Sequence, residues 1–154
     1  MKPSQLTPPA AGSSGEGVLD RAEAAHDPLS RARSLQTAAA SVGFDWPDPR
    51  GAFAKVREEV AEVETAWRGN DRAELEAEVG DLLFAAVNVT RLCGVDPAAA
   101  LGAANAKFLR RFHALEIRAR AAGIELKAAT LEALDALWDE VKRDERSHCE
   151  RGNR

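Results

Sequence analysis

The sequence predicts an all-α protein: a helical bundle of four to five helices, with a core four-helix bundle completed by dimerisation. Three observations carry that expectation. Aromatic residues make up only 5% of the 154 residues, and tyrosine is absent. Alanine recurs in runs, Ala38 to Ala40 and Ala98 to Ala100, and it is the residue of highest helix propensity. A sheet would be enriched instead in β-branched and aromatic residues. All seven prolines stand at Pro97 or before it, so none interrupts residues 50–96 or 98–154.

Residues 1–26 combine Pro3, Pro8, Pro9, Gly12, Gly15 and Gly17 with serines and little apolar periodicity, the composition of a disordered leader. Asp27-Pro28 starts the first helix, Asp as N-cap and Pro at the first helical position. That helix is expected to reach Val42, bury Leu35, Ala39 and Val42, and stop at Gly43. The connector Gly43-Phe44-Asp45-Trp46-Pro47-Asp48-Pro49-Arg50 reads as an ordered loop, because its two aromatics need a surface to pack on.

A second helix is expected over about 50–67, with Phe53, Val56, Val60, Val63 and Trp67 as its buried stripe. Gly69-Asn70-Asp71 is the turn. The third helix, about 72–93, becomes apolar on nearly every side after Asp81 (Leu82-Leu83-Phe84-Ala85-Ala86-Val87-Asn88-Val89). Such a helix is buried on every side, which predicts a subunit interface along it. Asp96-Pro97 starts the fourth helix, with Leu101, Phe108, Phe112 and Leu115 as its stripe and Gly123 beyond its end. The last helix begins near Thr130 and is expected to bury Leu131, Leu134, Leu137 or Trp138, and Val141. A polar tail, 146–154, leaves 27–145 as the folded domain.

Composition narrows the function. With 25 acidic against 21 basic residues and a net charge of -4, no nucleic-acid partner is expected. No apolar run reaches the roughly 20 residues of a membrane span, and Met1-Lys2-Pro3-Ser4-Gln5 lacks a secretory apolar core. Cys93 and Cys149 make no disulfide framework. A cytoplasmic protein with two free thiols is the expectation.

The chemistry lies in carboxylates on faces that should be core. At about 100° per residue, Leu75, Glu78, Leu82, Ala85, Val89 and Leu92 share one face of the third helix, with Asp81 on its edge. On the second helix Glu59 and Glu62 are neighbours beside the apolar stripe, while Glu58 points further out. Folding the two helices antiparallel through the Gly69 turn brings Glu59 and Glu62 toward Glu78 and Asp81. Four crowded carboxylates repel one another unless a cation neutralises them. An all-oxygen ligand set favours Mg²⁺, with Mn²⁺ as substitute, whereas Zn²⁺ would want His or Cys.

These residues resemble a family, the MazG-type nucleoside triphosphate pyrophosphohydrolases of the all-α NTP pyrophosphatase superfamily. The match is Glu58-Glu59-Val60-Ala61-Glu62 followed by Glu78-Val79-Gly80-Asp81. It is flanked by Gly43-Phe44-Asp45-Trp46-Pro47, Gly80-Asp81-Leu82-Leu83-Phe84, Asn105-Ala106-Lys107-Phe108-Leu109-Arg110-Arg111-Phe112 and Leu137-Trp138. It covers about residues 28–145 and looks closest to the C-terminal, catalytic half of two-repeat MazG proteins. The resemblance implies hydrolysis of NTPs or dNTPs between the α- and β-phosphates, giving NMP and pyrophosphate with Mg²⁺. It puts metal ligands on Glu59, Glu62, Glu78 and Asp81, and nucleotide contacts on Lys55, Lys107, Arg110, Arg111 and Trp138. One family lysine falls on Glu74, where the charge is reversed.

On that reading, Glu58 or Glu59 accepts the proton of the attacking water. Lys107 and Arg111, four apart on one helix face, are placed to grip the leaving phosphates. Asn105 lies in the fourth helix's apolar stripe, where it can orient a carboxylate or a phosphate. Trp46 and Trp138 are candidates to stack on the base. The expected role is nucleotide-pool house-cleaning by a homodimer, with a tetramer of two such dimers also compatible. The alternatives are a narrower dUTP/dCTP-type or phosphoribosyl-ATP pyrophosphohydrolase, or a helical regulatory module without turnover.

Overall fold

The structure, a computed structural model, describes Leu19 and residues 27–152, with side chains described up to Ser147. The expected leader, Leu19 apart, lies outside the described residues, as do the side chains of His26, His148 and Cys149. Among the described residues the fold is all-α, with five helices: α1 (Pro28–Ala40), α2 (Pro49–Gly69), α3 (Arg72–Leu92), α4 (Pro97–Ala121) and α5 (Leu131–Gly152). The chain forms two compact units, Met1–Pro97 and Ala98–Arg154.

Caps set the boundaries in the first unit. The Asp27 carboxylate accepts from the Leu29 and Ser30 amides, Asp48 from Arg50, and Asp71 from Ala73 and Glu74. Each satisfies amide groups that the first helical turn leaves unpaired. Asn70 closes α2 in the left-handed region at φ 57°, so α2 and α3 form a tight antiparallel hairpin. α1 ends two residues short of expectation. Gly43 takes φ 89°, and Val42 is exposed rather than buried.

α3 packs against both α2 and α1. The buried line of α2 corrects the expected stripe. Ala52, Glu59 and Ala66 are buried, whereas Phe53, Val60 and Trp67 are exposed. The face that meets α3 is thus centred one position before the largest apolar side chains. Small alanines let the two helices approach closely, and Glu59 is enclosed between them. Around α3, Ala85 and Val87 are buried, but Leu83 and Phe84 are exposed because two neighbours cannot encircle a third helix.

In the second unit, Leu115, Ala119, Leu137 and Val141 form the core, with Ala114, Ile124, Leu126, Leu134 and Trp138 packed around it. Burying one such leucine contributes about 2 kcal/mol. Leu101, Phe108 and Leu131, expected to be inside, are exposed. Phe108 instead stacks on Phe112 at 5.9 Å and meets Trp138 at 5.5 Å. Gly123, at φ 69°, turns the chain after α4, and Thr130 Oγ1 accepts from the Ala133 amide at the start of α5. α5 continues to Gly152, past Arg146 where the polar tail was expected to begin. Among the described residues, no single helix is long and apolar enough to cross a membrane.

Candidate functional site

The α2–α3 hairpin brings Glu59, Glu78 and Asp81 together, with one carboxylate oxygen of each within 4.8 Å of the others. Glu59 is 3% exposed, Glu78 half-buried, and Asp81 open to solvent. The arrangement is a graded funnel from a buried ligand to an accessible one. Glu62, the fourth expected member, stands outside this trio on the exposed side of α2. Its carboxyl is nevertheless pushed above its ordinary range, by desolvation first, then by a hydrogen bond with Glu59 and by the charges of Glu59 and Glu78. Negative charge is therefore crowded here, and one proton is retained more readily than in water.

Lys55 answers part of that charge. Its Nζ lies 2.5 Å from Glu59 Oε1 and 2.9 Å from Glu58 Oε1. The hydrogen bond to Glu59, and after it the one to Glu58, raises the lysine's pKa. The lysine and the carboxylate ladder thus sit one helical turn apart on α2. A hard divalent cation fits the trio, because all the donors are oxygen and the innermost carboxylate is already removed from water.

Beside the hairpin lies a cavity of about 570 Å³, lined by the α1 residues Leu35, Gln36 and Ala39, by Phe44, Asp45 and Trp46 of the connector, by Lys55, and by Phe84, Asn88 and Arg91 of α3. The connector is fastened to α3 by a two-pronged ion pair. Arg91 Nη1 donates to Asp45 Oδ2 at 3.0 Å and Nη2 to Oδ1 at 2.5 Å. Arg91 Nε and Nη2 also donate to Asn88 Oδ1, at 3.0 and 2.8 Å. The guanidinium of Arg91 holds the Asp45 carboxyl below the usual carboxylate range. Trp46 packs flat against Gly51 in the first turn of α2, where any Cβ would collide with the indole. Here glycine is needed for close approach, not for its backbone freedom.

The remaining expected site residues lie in the second unit. Lys107 is exposed. Arg110 and Arg111 share one carboxylate, Glu145: Arg110 Nε donates to Oε1 at 3.1 Å and Arg111 Nε to Oε2 at 2.8 Å. Those two guanidinium groups hold Glu145 below the usual carboxylate range, Arg111 contributing most. Trp138 is half-buried against the core and Phe108. Asn105 is exposed, which corrects the expectation of a buried amide.

Sequence reasoning missed Gln36, Asn88 and Arg91. Each is a single polar residue whose partners or cavity neighbours stand up to 48 positions away. The one available signal was Asp45 in a loop already read as ordered.

Residues 49–114 match the MazG nucleotide pyrophosphohydrolase domain. The chain is 44% identical over 114 residues to a nucleoside triphosphate pyrophosphohydrolase/pyrophosphatase MazG of Thermotoga maritima, covering 74% of this chain and 44% of that one. It is likewise 44% identical over 119 residues to a nucleoside triphosphate pyrophosphohydrolase of Escherichia coli K12, covering 76% and 45%. A Bacillus subtilis protein, YabN, is 49% identical over 72 residues, 47% of this chain and 15% of that one. The chain thus spans less than half the length of these relatives.

Proposed function

The chain carries a MazG-type domain, and on that premise we propose that it hydrolyses NTPs or dNTPs between the α- and β-phosphates, with Mg²⁺, to (d)NMP and pyrophosphate. The observation that carries the reading is Glu59, a carboxylate 3% exposed and gathered with Glu78 and Asp81. Lys55 meets part of that charge, and a divalent cation would meet what remains on the trio.

In this reading Glu59, Glu78 and Asp81 hold the cation, Glu62 supports them from the rim, and Mn²⁺ can substitute. The cation supplies charge neutralisation for the phosphates and makes a water more acidic. Water attacks the α-phosphorus in line as the bond from that phosphorus to the bridging oxygen breaks. Glu58, exposed and outside the trio, takes the water's proton. Glu59 is the less suited of the two, since it is committed to the cluster. Lys55 exchanges its carboxylate partners for phosphate oxygens when substrate arrives.

Trp46 offers a ring face to the base at the cavity. Lys107, Arg110 and Arg111 bind the β- and γ-phosphates, with Glu145 holding the two arginines in position. Asn105 and Trp138 complete the substrate contacts. The catalytic domain is residues 27–145, acting in the cytoplasm on surplus or non-standard nucleotides. A homodimer covers apolar side chains that one chain leaves exposed, among them Leu83, Phe84 and Phe108.

Product analysis tests the reading. Purified protein is incubated with each common NTP and dNTP, with dUTP and with ITP, in Mg²⁺ and in EDTA, and the products are separated by ion exchange. NMP plus pyrophosphate, formed only with metal, is the expected result. NDP plus phosphate would place the cleavage elsewhere, and no turnover would sink the enzyme reading.

A further inference from the structure

The connector between α1 and α2 is held by polar pins more than by burial. Its two large side chains stay in the open, Phe44 82% and Trp46 47% exposed. The Phe44 amide donates to the Ala39 carbonyl at 3.2 Å, which ties the near end to α1. At the far end Pro47 disfavours helical backbone at Trp46. Between these two restraints the position of the segment is set by one carboxylate, that of Asp45.

That carboxylate joins α3 to Trp46. Oδ1 accepts from the Trp46 amide at 2.8 Å and from Arg91 Nη2 at 2.5 Å, while Oδ2 accepts from Arg91 Nη1 at 3.0 Å. Arg91 is aimed in turn by Asn88, whose side-chain oxygen accepts from Nε and Nη2. The arginine side chain is only 13% exposed. A planar guanidinium pinned on both sides satisfies all of these bonds in one geometry, which a lysine could not reproduce. The contacts therefore run from Asn88 through Arg91 and Asp45 to the Trp46 backbone, and end where the indole rests on Gly51. All four polar and aromatic members line the cavity.

We propose that Arg91 is a positioning residue for the substrate's base: through Asp45 it holds the Trp46 indole at the cavity wall, in the attitude on which a nucleobase stacks. The inference rests on the reading of Trp46 given above and adds what keeps that ring in place. Such a platform accepts many bases, because each offers a π-face and stacking reads no edge group. A ring held before the nucleotide arrives also loses no freedom when it binds. Arg91 acts on binding alone, so its removal is read in KM rather than in kcat.

A double-mutant cycle on the full chain tests this, with wild type, Arg91→Met, Trp46→Leu and the two combined. Each is assayed for Mg²⁺-dependent NMP release from the nucleotide that the wild type uses best. Trp46→Leu is expected to raise KM roughly fivefold or more, by the scale of base–aromatic stacking. Arg91→Met is expected to raise it about threefold or more with kcat within about twofold, the pattern of lost ground-state binding. In the Trp46→Leu background the Arg91 substitution should add nothing to KM, the coupling expected when one residue acts through the other. Loss of folded protein alone lowers the apparent kcat and leaves KM where it was. Asp45→Asn keeps an oxygen for the Trp46 amide but removes the charge that Arg91 meets. It should raise KM in the same way, and it decides the matter if Arg91→Met does not fold. A folded Arg91→Met with unchanged KM, or an equal rise with and without Trp46, overturns the inference and leaves stacking on Trp46 standing. An unchanged KM in Trp46→Leu overturns stacking and the inference together. No α–β cleavage of any nucleotide overturns the pyrophosphohydrolase reading with them.

Discussion

Between α4 and α5 the buried side chains are Leu115, Ala119, Leu137 and Val141, while the charges pair outside them, Arg111 with Glu145 and Arg118 with Asp144. In the α1–α3 unit the buried set includes Glu59 and Gln36 alongside Ala52, Ala66, Ala85 and Val87. One unit has the interior expected of a structure optimised for burial. The other encloses a charge, met in part by Lys55, and an unpaired acceptor, the Gln36 oxygen, next to small side chains, polar groups that an interior optimised for burial would leave out. The contrast separates the apolar core of the second unit from the carboxylate cluster of the first and suggests where a substitution will act on folding and where on metal chemistry.

The largest effect that would sharpen this contrast is expected at Glu59. Glu59→Gln should reduce kcat by at least about 100-fold, since even the outer partners of metal ligands cost 10- to 100-fold when removed. NMP release at saturating nucleotide measures it. A variant that keeps wild-type turnover would erase the distinction between the two units.

Leu115→Ala, in the apolar core, should do the reverse. A loss of about 2–5 kcal/mol in urea unfolding is expected, with Mn²⁺ affinity of the folded protein unchanged. A large shift in metal affinity would mean that this core and the carboxylate cluster are not separable.

Arg91→Met is intermediate, because it leaves the Asp45 carboxylate without its partner and loosens the connector from α3. A loss of about 1–2 kcal/mol is expected near neutral pH. Asp45 is held below the usual carboxylate range, so its contribution is complete above the unfolded value of about 4. It fades as pH falls through the lower folded value. The stability gap between wild type and Arg91→Met should therefore narrow below about pH 4, and a gap that widened there would contradict the assignment.

The smallest effect is expected at Gly51. Gly51→Ala displaces the Trp46 indole from the first turn of α2. If Trp46 holds the base, KM should rise roughly fivefold or more, by the scale of base–aromatic stacking, with kcat little changed. An unaltered KM would remove Trp46 from the site.

Much of this was legible in the sequence, for reasons that differ by residue. The Asp-Pro starts at 27–28 and 96–97 were readable because capping is local chemistry. So were the Gly69–Asp71 turn and the carboxylate pattern, which depend on spacing along two adjacent helices. The buried line of α2 was not readable from hydropathy. Phe53, Val60 and Trp67 carry the strongest apolar signal yet are exposed, while Ala52 and Ala66 carry a weak one and are buried. Nothing local marks an alanine as the point of closest helix approach. The cavity was also hidden, because Gln36, Asp45 and Arg91 acquire their roles only when α1, the connector and α3 come together.

The central claim is that the enclosed carboxylates of α2 and α3 are there to hold a divalent cation. Thermal unfolding of the wild type and Glu59→Gln, each with EDTA and with Mg²⁺ or Mn²⁺, tests it most directly. The account predicts that metal raises the wild-type Tm and that the variant no longer responds. A wild type indifferent to metal, or a variant that responds as the wild type does, would contradict it.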